Sequence, residues 1–195
     1  ERDCRGQSCP QEGIGLTVRK NVLLGVTGSI AAYKTCDLIR SLRDAGFVVD
    51  VIMTKESKEF ISPLTLQTLS GRKVYSQMFD ANVDFDIEHI ELAKRPSVVV
   101  IAPATANVIG KLAGGIYDDL LTCVVAATKA EVLIAPAMNE NMYKNPIVQD
   151  NIKKLKSKGV KFIGPRTGKL ACGDVGIGCL ESAEKIVKFV RQLLK

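Results

Sequence analysis

The chain has 195 residues, of which 46% are hydrophobic and 25% are charged, as is usual for a globular protein with a packed core. We expect a single domain over residues 20–195, preceded by a poorly ordered tail at residues 1–19. The formal net charge is +6, but the basic residues are dispersed along the chain and only 5% of residues are aromatic. Binding to nucleic acid is therefore not expected.

The six cysteines form no CxxC pair, and the chain has a single histidine. A metal site is therefore not expected, and a chain with this much apolar material does not need a disulfide framework. The first 20 residues lack the apolar core of a signal peptide, and no run of 18 apolar residues is available to span a membrane. These features predict a cytoplasmic protein with no membrane partner.

Short apolar runs alternate along the chain with segments of helical spacing. The apolar runs predict strands at residues 21–27, 47–53, 98–102, 132–135 and 160–163. The helical patterns occur at residues 29–45, 63–69, 104–113, 117–128, 147–158 and 181–194, with a further short one around His89. This alternation predicts a three-layer α/β/α Rossmann-like fold with a mostly parallel sheet.

The first two predicted strands are each followed by a turn that can face a ligand. Residues 25–30 (GVTGSI) place glycines and a helix N-terminus at the first strand exit, an arrangement that suits a mononucleotide phosphate better than NAD. A tight turn alone would also explain these glycines. After the second strand, the hydroxyls of Thr54 and Ser57 suit helix capping and phosphate binding equally well.

Two later strand exits share one design, in which Ala-Pro is followed by a polar side chain. They are residues 102–107 (APATAN) and residues 135–143 (APAMNENMY). Ligands of open parallel sheets bind beyond the carboxyl ends of the strands, so these segments are interpreted as walls of one crevice. Asn139 either forms a turn there or binds a carboxylate or an amide.

Two further residues carry reactive groups. His89 lies on a helical stretch, where packing is the simplest role, although its near-neutral pKa leaves acid–base chemistry open. Residues 170–179 (LACGDVGIGC) predict a mobile, glycine-rich loop. Cys172 in this loop is either an incidental thiol or an acid or nucleophile.

Six segments, in this order, resemble the flavin-containing cysteine decarboxylases, and most closely the phosphopantothenoylcysteine decarboxylases of coenzyme A biosynthesis. They are GVTGSIAAYK, MTKESKEFISPLTLQTLSG, HIELAK, APATAN, APAMNENMY and LACGDVGIG. The resemblance extends from about residue 20 to the C-terminal residue and implies the flavoprotein version of the Rossmann-like fold.

The resemblance implies FMN as the cofactor and assigns a role to particular residues. The implied FMN-binding residues are Gly28, Ser29, Ile30, Thr54, Ser57, Pro103, Ala104, Thr105 and Asn107. The implied substrate-binding residues are Ala137, Met138, Asn139 and Met142, with Asn139 on the substrate carboxylate. His89 and Cys172 match the catalytic histidine and the cysteine that supplies a late proton.

The implied reaction converts 4'-phosphopantothenoylcysteine to 4'-phosphopantetheine. Oxidation of the carbon that bears sulfur gives a thioaldehyde, which is an electron sink and so allows CO2 to leave. The resulting enethiol is then reduced again, with a proton from Cys172. The resemblance also implies a homo-oligomer, either a trimer or a trimer-based dodecamer, with FMN near a subunit boundary.

The sequence departs from the family pattern in two ways. Cys179 stands where the bifunctional bacterial members usually have arginine, which leaves the contact to the substrate phosphate unassigned. Those members also continue into a synthetase domain, whereas this sequence stops at Lys195, so we expect either a stand-alone decarboxylase or a piece of such a fusion.

Two alternative functions fit the same family. A peptidyl-cysteine decarboxylase would act on a precursor peptide, and ACGDVGIG at residues 171–178 argues against it. A flavin-binding regulatory subunit would inhibit a partner phosphatase, and the joint presence of His89, Asn139 and Cys172 argues against that role.

Overall fold

A parallel sheet of six strands, β3-β2-β1-β4-β5-β6, forms the centre of the computed structural model, which describes residues 20–78, 88–171 and 173–195. The strands are β1 (Asn21–Val26), β2 (Val48–Met53), β3 (Val74–Tyr75), β4 (Val98–Ala104), β5 (Glu131–Pro136) and β6 (Lys161–Phe162). All neighbouring pairs in this sheet are parallel. The strand order changes direction between β1 and β4, so a crevice opens there beyond the carboxyl ends.

Helices cover both faces of the sheet, and this confirms the predicted three-layer α/β fold. They are α1 (Thr35–Asp44), α2 (Pro63–Ser70), α3 (Glu88–Lys94), α4 (Ala106–Gly114), α5 (Leu120–Ala127), α6 (Glu140–Lys144), α7 (Pro146–Ser157) and α8 (Ala183–Leu193). Short 3₁₀ turns at Ile30–Lys34 and Lys55–Glu59 follow β1 and β2. None of the helices within the described ranges is long and apolar enough to cross a membrane.

The continuous apolar runs of the strands supply two separate cores. Val98 and Val100 pack into the core on the side of α1, α2 and α8, whereas Val99 and Ile101 pack into the core on the side of α3, α4, α5 and α7. Successive side chains of a strand point to opposite faces, so a strand buried on both faces must be apolar throughout.

Local signals set several helix boundaries as the sequence predicted. Ser29 caps the first turn by accepting a hydrogen bond from the Ala31 N–H, and Gly71 ends α2 with a φ of 69°. The predicted helix at 104–113 instead begins at Ala106, because β4 continues to Ala104 and Thr105 is the N-cap. The tail predicted at residues 1–19 lies outside the described residues.

The prediction of a loop over residues 170–179 was wrong in its second half. Val175–Cys179 is strand β8, which pairs antiparallel with β7 (Arg166–Lys169) to form a hairpin outside the main sheet. Gly176 and Gly178 weaken the sequence pattern of this strand. Here their lack of side chains allows close contact with another segment, described below.

Candidate active site

A cavity of about 600 Å³ lies where the carboxyl ends of β1, β4 and β5 meet. Gly28, Ser29 and Ile30 line it after β1, Thr105 lines it after β4, and Asn139 lines it after β5. The two Ala-Pro pairs lie at the ends of β4 and β5, and the residues that follow them reach the same crevice, as their common design predicted.

Two hydroxyl groups connect these three strand exits. The Thr27 Oγ1 hydroxyl donates to the Pro103 carbonyl at 2.7 Å and accepts from the Thr105 N–H at 3.1 Å. The Ser29 hydroxyl donates to the Ala137 carbonyl at 3.4 Å. Thr27 is 2% exposed, so these bonds form where water competes little. Sequence reasoning missed Thr27, whose only signal was a threonine between two glycines at a strand exit.

Gly28 allows the loop after β1 to approach the turn after β2. A Cβ atom at this position would lie 2.5 Å from the Cβ of Glu56, inside any normal contact distance. The Ser29 hydroxyl also accepts from the Ala31 N–H at 3.3 Å, which fixes the start of the 3₁₀ turn. This packing requires glycine at position 28 whether or not the residue also binds the cofactor, as predicted.

Thr54 and Ser57 differ in their hydrogen bonding, although the sequence predicted the same two roles, helix capping and phosphate binding, for both. The Ser57 hydroxyl is buried and donates to the Thr54 carbonyl at 2.7 Å, which closes the turn after β2. Thr54 makes no side-chain capping bond, and its Oγ1 is buried without a hydrogen-bond partner among the described residues. A buried hydroxyl without a partner is costly, so its position suits a group supplied by a ligand.

Five of the predicted FMN-binding residues do not line the cavity, namely Thr54, Ser57, Pro103, Ala104 and Asn107. Pro103 follows a cis peptide bond inside β4, and Ala104 is fully buried and accepts from the Ala137 N–H at 3.0 Å. Asn107 is exposed on α4. The structure thus gives Pro103 and Ala104 a part in building the wall, and their predicted contacts with a cofactor stay predictions.

Asn139 forms a cap, as one of its two possible roles predicted, and its binding role stays a prediction. Its Oδ1 accepts from the Asn141 N–H at 2.8 Å and so caps α6. The same residue is exposed and lines the cavity, together with Ala137, Met138 and Met142. The cap uses the amide oxygen and leaves the NH2 group as a donor toward a ligand.

The β7–β8 hairpin forms another part of the cavity wall. Lys169, Leu170 and Ala171 line the cavity from one strand and the bend, while Gly178 and Cys179 line it from the other strand. The Cys179 thiol donates to the Lys169 carbonyl at 3.4 Å, inside the hairpin.

Among the described residues that line the cavity, two carry a charged side chain, and both are basic. They are Lys34, after the first turn, and Lys169, at the end of β7. Two cations in the lining of one cavity favour an anionic ligand, and the interaction is stronger where water is partly excluded.

The two predicted catalytic residues are described incompletely. His89 lies near the start of α3, and its side chain is outside the described part of the structure. Cys172 itself lies outside the described residues, between Ala171 on the cavity wall and Gly173. The catalytic roles of both residues therefore stay predictions.

The chain matches the Flavoprotein family over residues 15–195. It is 46% identical to the probable phosphopantothenoylcysteine decarboxylase of Streptococcus mutans, over 90% of this chain and 99% of that protein. It is also 46% identical to the coenzyme A biosynthesis bifunctional protein CoaBC of Vibrio vulnificus, over 90% of this chain. The chain spans 44% of the length of that bifunctional protein.

Solved structures show the same relationship. A PPC decarboxylase variant in complex with pantothenoylaminoethenethiol matches with a TM-score of 0.82 and 33% identity, over 89% of this chain and 97% of that one. The FMN-binding protein AtHal3 matches with a TM-score of 0.75 and 33% identity, over 89% of this chain and 96% of that one.

The fold, the crevice at the strand exits and these matches show that the chain belongs to the Flavoprotein family. Within that family it belongs with the phosphopantothenoylcysteine decarboxylases.

Proposed function

We propose that this protein is an FMN-dependent enzyme that decarboxylates 4'-phosphopantothenoylcysteine to 4'-phosphopantetheine in coenzyme A biosynthesis. One observation carries the proposal: a single cavity joins the turn predicted to bind FMN with the residue predicted to bind the substrate carboxylate. Gly28 and Ser29 lie on one side of this cavity and Asn139 on another. A cofactor and an anionic substrate can therefore meet there.

The residues around the first turn fit FMN. The Thr54 hydroxyl, which has no partner among the described residues, offers a hydrogen bond, and Gly28, Ser29 and Ile30 line the cavity where the first turn begins. We assign Gly28, Ser29, Ile30 and Thr105 to the walls that would hold the cofactor. When bound, FMN supplies a group that accepts a hydride and returns it.

Other residues of the cavity can bind the carboxylate at one end of the substrate and the phosphate at the other. The Asn139 NH2 group would donate to the carboxylate that is lost as CO2, and Met142 would contact the adjoining apolar atoms. Lys34 and Lys169 provide positive charge for the phosphate. These lysines give the substrate phosphate a partner even though Cys179 replaces the arginine common in bifunctional relatives.

His89 and Cys172 complete the proposal as proton-transfer residues. A histidine titrates near neutral pH, so His89 can accept or stabilise a proton during the oxidative half of the reaction. The Cys172 thiol, with a typical pKa of about 8.5, can donate the proton needed when the enethiol is reduced. Both assignments rest on the match of these residues to the family pattern.

We further propose that the protein is cytoplasmic and assembles as a trimer or a trimer-based dodecamer. Its relatives belong to coenzyme A biosynthesis, which supports the location. Large apolar side chains are exposed between α4 and α5, where Ile116 is 51% and Tyr117 is 46% exposed. Exposed apolar groups of this kind favour contact with another subunit.

Comparing three substrates tests the proposed function. The protein loaded with FMN should release CO2 from phosphopantothenoylcysteine, more slowly from pantothenoylcysteine, and not from a peptide that ends in cysteine. Pantothenoylcysteine lacks only the phosphate, so the difference in rate between the first two substrates measures what phosphate binding by Lys34 and Lys169 contributes. A preference for the peptide would instead indicate a peptidyl-cysteine decarboxylase. Bound FMN without CO2 release from any substrate would favour a regulatory subunit.

A further inference from the structure

The wall formed by the β7–β8 hairpin contacts the segment around α6 through backbone atoms. The Met138 N–H donates to the Gly178 carbonyl at 3.1 Å. A Cβ atom on Gly178, whose φ is 150°, would overlap the Met138 carbonyl oxygen. Glycine at 178 therefore allows the hairpin to approach the strand exit that carries Asn139.

A second contact between the same two segments uses the side chain of Glu140. Its carboxylate occupies the space above Gly176, where any Cβ atom would overlap Oε2. A hydrogen bond with Lys144 and, to a smaller extent, one from the Ile177 backbone N–H lower the pKa of the Glu140 carboxyl. The carboxylate thus packs against β8 at Gly176 and also forms an ion pair with Lys144 within α6.

The position of this ion pair distinguishes it from ordinary pairs on a helix surface. Lys144 Nζ lies 2.6 Å from Glu140 Oε1, and the Glu140 side chain is 29% exposed. By contrast, Asp150 and Lys153 on α7 are 3.1 Å apart and more than 70% exposed, a setting in which ion pairs contribute little. A hydrogen bond to a charged group contributes more to stability than an exposed ion pair does. When such a bond joins two secondary-structure elements, it also limits the distance between them.

The cavity depends on the distance between these two elements. Asn139, the residue before Glu140, and Gly178, two residues after Gly176, both line the cavity. A shift of the hairpin away from α6 would change the cavity width at the end where the proposed function places the substrate carboxylate.

We propose that Glu140 is a positioning residue that latches the β7–β8 hairpin onto α6 and so sets the width of the substrate cavity. This assignment of a substrate-positioning role rests on the proposed function. The latch itself is a property of the protein without substrate. Its two parts can therefore be tested separately.

Amide hydrogen exchange across Val175–Cys179 tests the latch in the full chain without substrate. Glu140→Ala removes the carboxylate, and exchange at the Ile177 amide should accelerate by about tenfold, in line with the loss of a hydrogen bond to a charged group. Glu140→Gln keeps an acceptor oxygen and should recover part of the protection. Asp150→Ala is the matched control, because it removes an acidic partner from an exposed helical ion pair and should leave β8 exchange unchanged.

Steady-state kinetics on phosphopantothenoylcysteine tests the positioning role. In Glu140→Ala we expect KM to rise by about tenfold, while kcat changes by less than about twofold, because uniform substrate binding is weakened. Glu140→Gln should lie between the wild-type protein and Glu140→Ala.

Several outcomes would overturn the proposal. Wild-type exchange at Ile177 in Glu140→Ala would rule out the latch, and faster exchange with an unchanged KM would rule out its effect on the substrate. If Glu140→Ala does not fold, Glu140→Gln takes its place: its neutral oxygen accepts a weaker hydrogen bond, so exchange at Ile177 should still be faster than in the wild-type protein, and an unchanged rate would reject a latch that depends on the carboxylate charge. A wild-type protein that does not decarboxylate the substrate would refute the proposed function, and the exchange comparison would still decide the latch.

Discussion

Asn139 performs a structural task with one atom of its amide and leaves the other for a ligand. The Oδ1 atom caps α6 at 2.8 Å from the Asn141 nitrogen, and the NH2 group remains available in the cavity. Asn139 can therefore cap α6 and bind a ligand at the same time. They can be separated by a substitution that preserves the acceptor and removes the donor.

Asn139→Asp is such a substitution. Aspartate caps helices as well as asparagine does, so we expect a thermal stability close to that of the wild-type protein. The substrate carboxylate would meet a like charge instead of a donor, and kcat/KM should fall at least about a hundredfold, or roughly 2.7 kcal/mol.

Asn145→Asp provides the control for that measurement. Asn145 also caps a helix through Oδ1, which accepts from the Ile147 N–H at 2.9 Å, and it does not line the cavity. This variant should keep both stability and activity. Near-normal kcat/KM in Asn139→Asp would remove Asn139 from the carboxylate-binding role.

Thr54 allows a test of cofactor binding that is independent of turnover. Its hydroxyl has no partner among the described residues, so Thr54→Val should leave the stability of the flavin-free protein unchanged or slightly higher. If the hydroxyl bonds to FMN, the Kd for FMN should rise by about tenfold, which corresponds to one ordinary hydrogen bond. Flavin fluorescence titration measures this change.

Thr122→Val is the contrasting variant for Thr54→Val. The Thr122 hydroxyl is buried and hydrogen-bonds Asp119, with 3.0 Å to both the backbone and the side-chain oxygen. Its loss should destabilise the protein by about 1–3 kcal/mol. An unchanged Kd for FMN in Thr54→Val would exclude Thr54 from the cofactor site.

At the scale of secondary-structure elements, Thr27 holds the exits of β1 and β4 together. Thr27→Val keeps the shape of the side chain but leaves the Pro103 carbonyl and the Thr105 N–H without this partner. We expect a loss of about 1–3 kcal/mol in the free energy of unfolding and weaker FMN binding. Thermal unfolding and FMN titration report the two effects.

Thr27→Ser retains the hydroxyl and should restore most of both quantities. A Thr27→Val protein as stable as the wild-type protein would show that the two hydrogen bonds contribute nothing net. Normal FMN binding in that variant would show that the geometry of the β4 exit does not depend on Thr27.

Much of the fold could be predicted from the sequence because its signals are local. The apolar run at β4 and the Gly71 stop after α2 each depend on a few neighbouring residues. The hairpin was missed because Gly176 and Gly178 are explained only by their contacts with Glu140 and Met138, far away in the chain. The role of Thr27 was missed for the same reason.

At the scale of the whole molecule, the order of the strands explains the place of the cavity. Placing β1 beside β4, and β4 beside β5, brings three polar strand exits to one edge of the sheet. The sequence predicted which segments would meet, since parallel strands share their carboxyl edge. The hairpin that closes the cavity needed the three-dimensional structure, because nothing in its own sequence fixes where it packs.

The most direct test of the account is anaerobic mixing of the FMN-loaded protein with phosphopantothenoylcysteine, followed by flavin absorbance and product analysis. A redox-neutral decarboxylation predicts flavin absorbance that bleaches and then returns without added oxidant, CO2 equal to the substrate consumed, and 4'-phosphopantetheine as the product. Flavin that stays bleached until oxygen is admitted, with the enethiol as the final product, would contradict the account. Release of CO2 by protein that contains no flavin would contradict it as well.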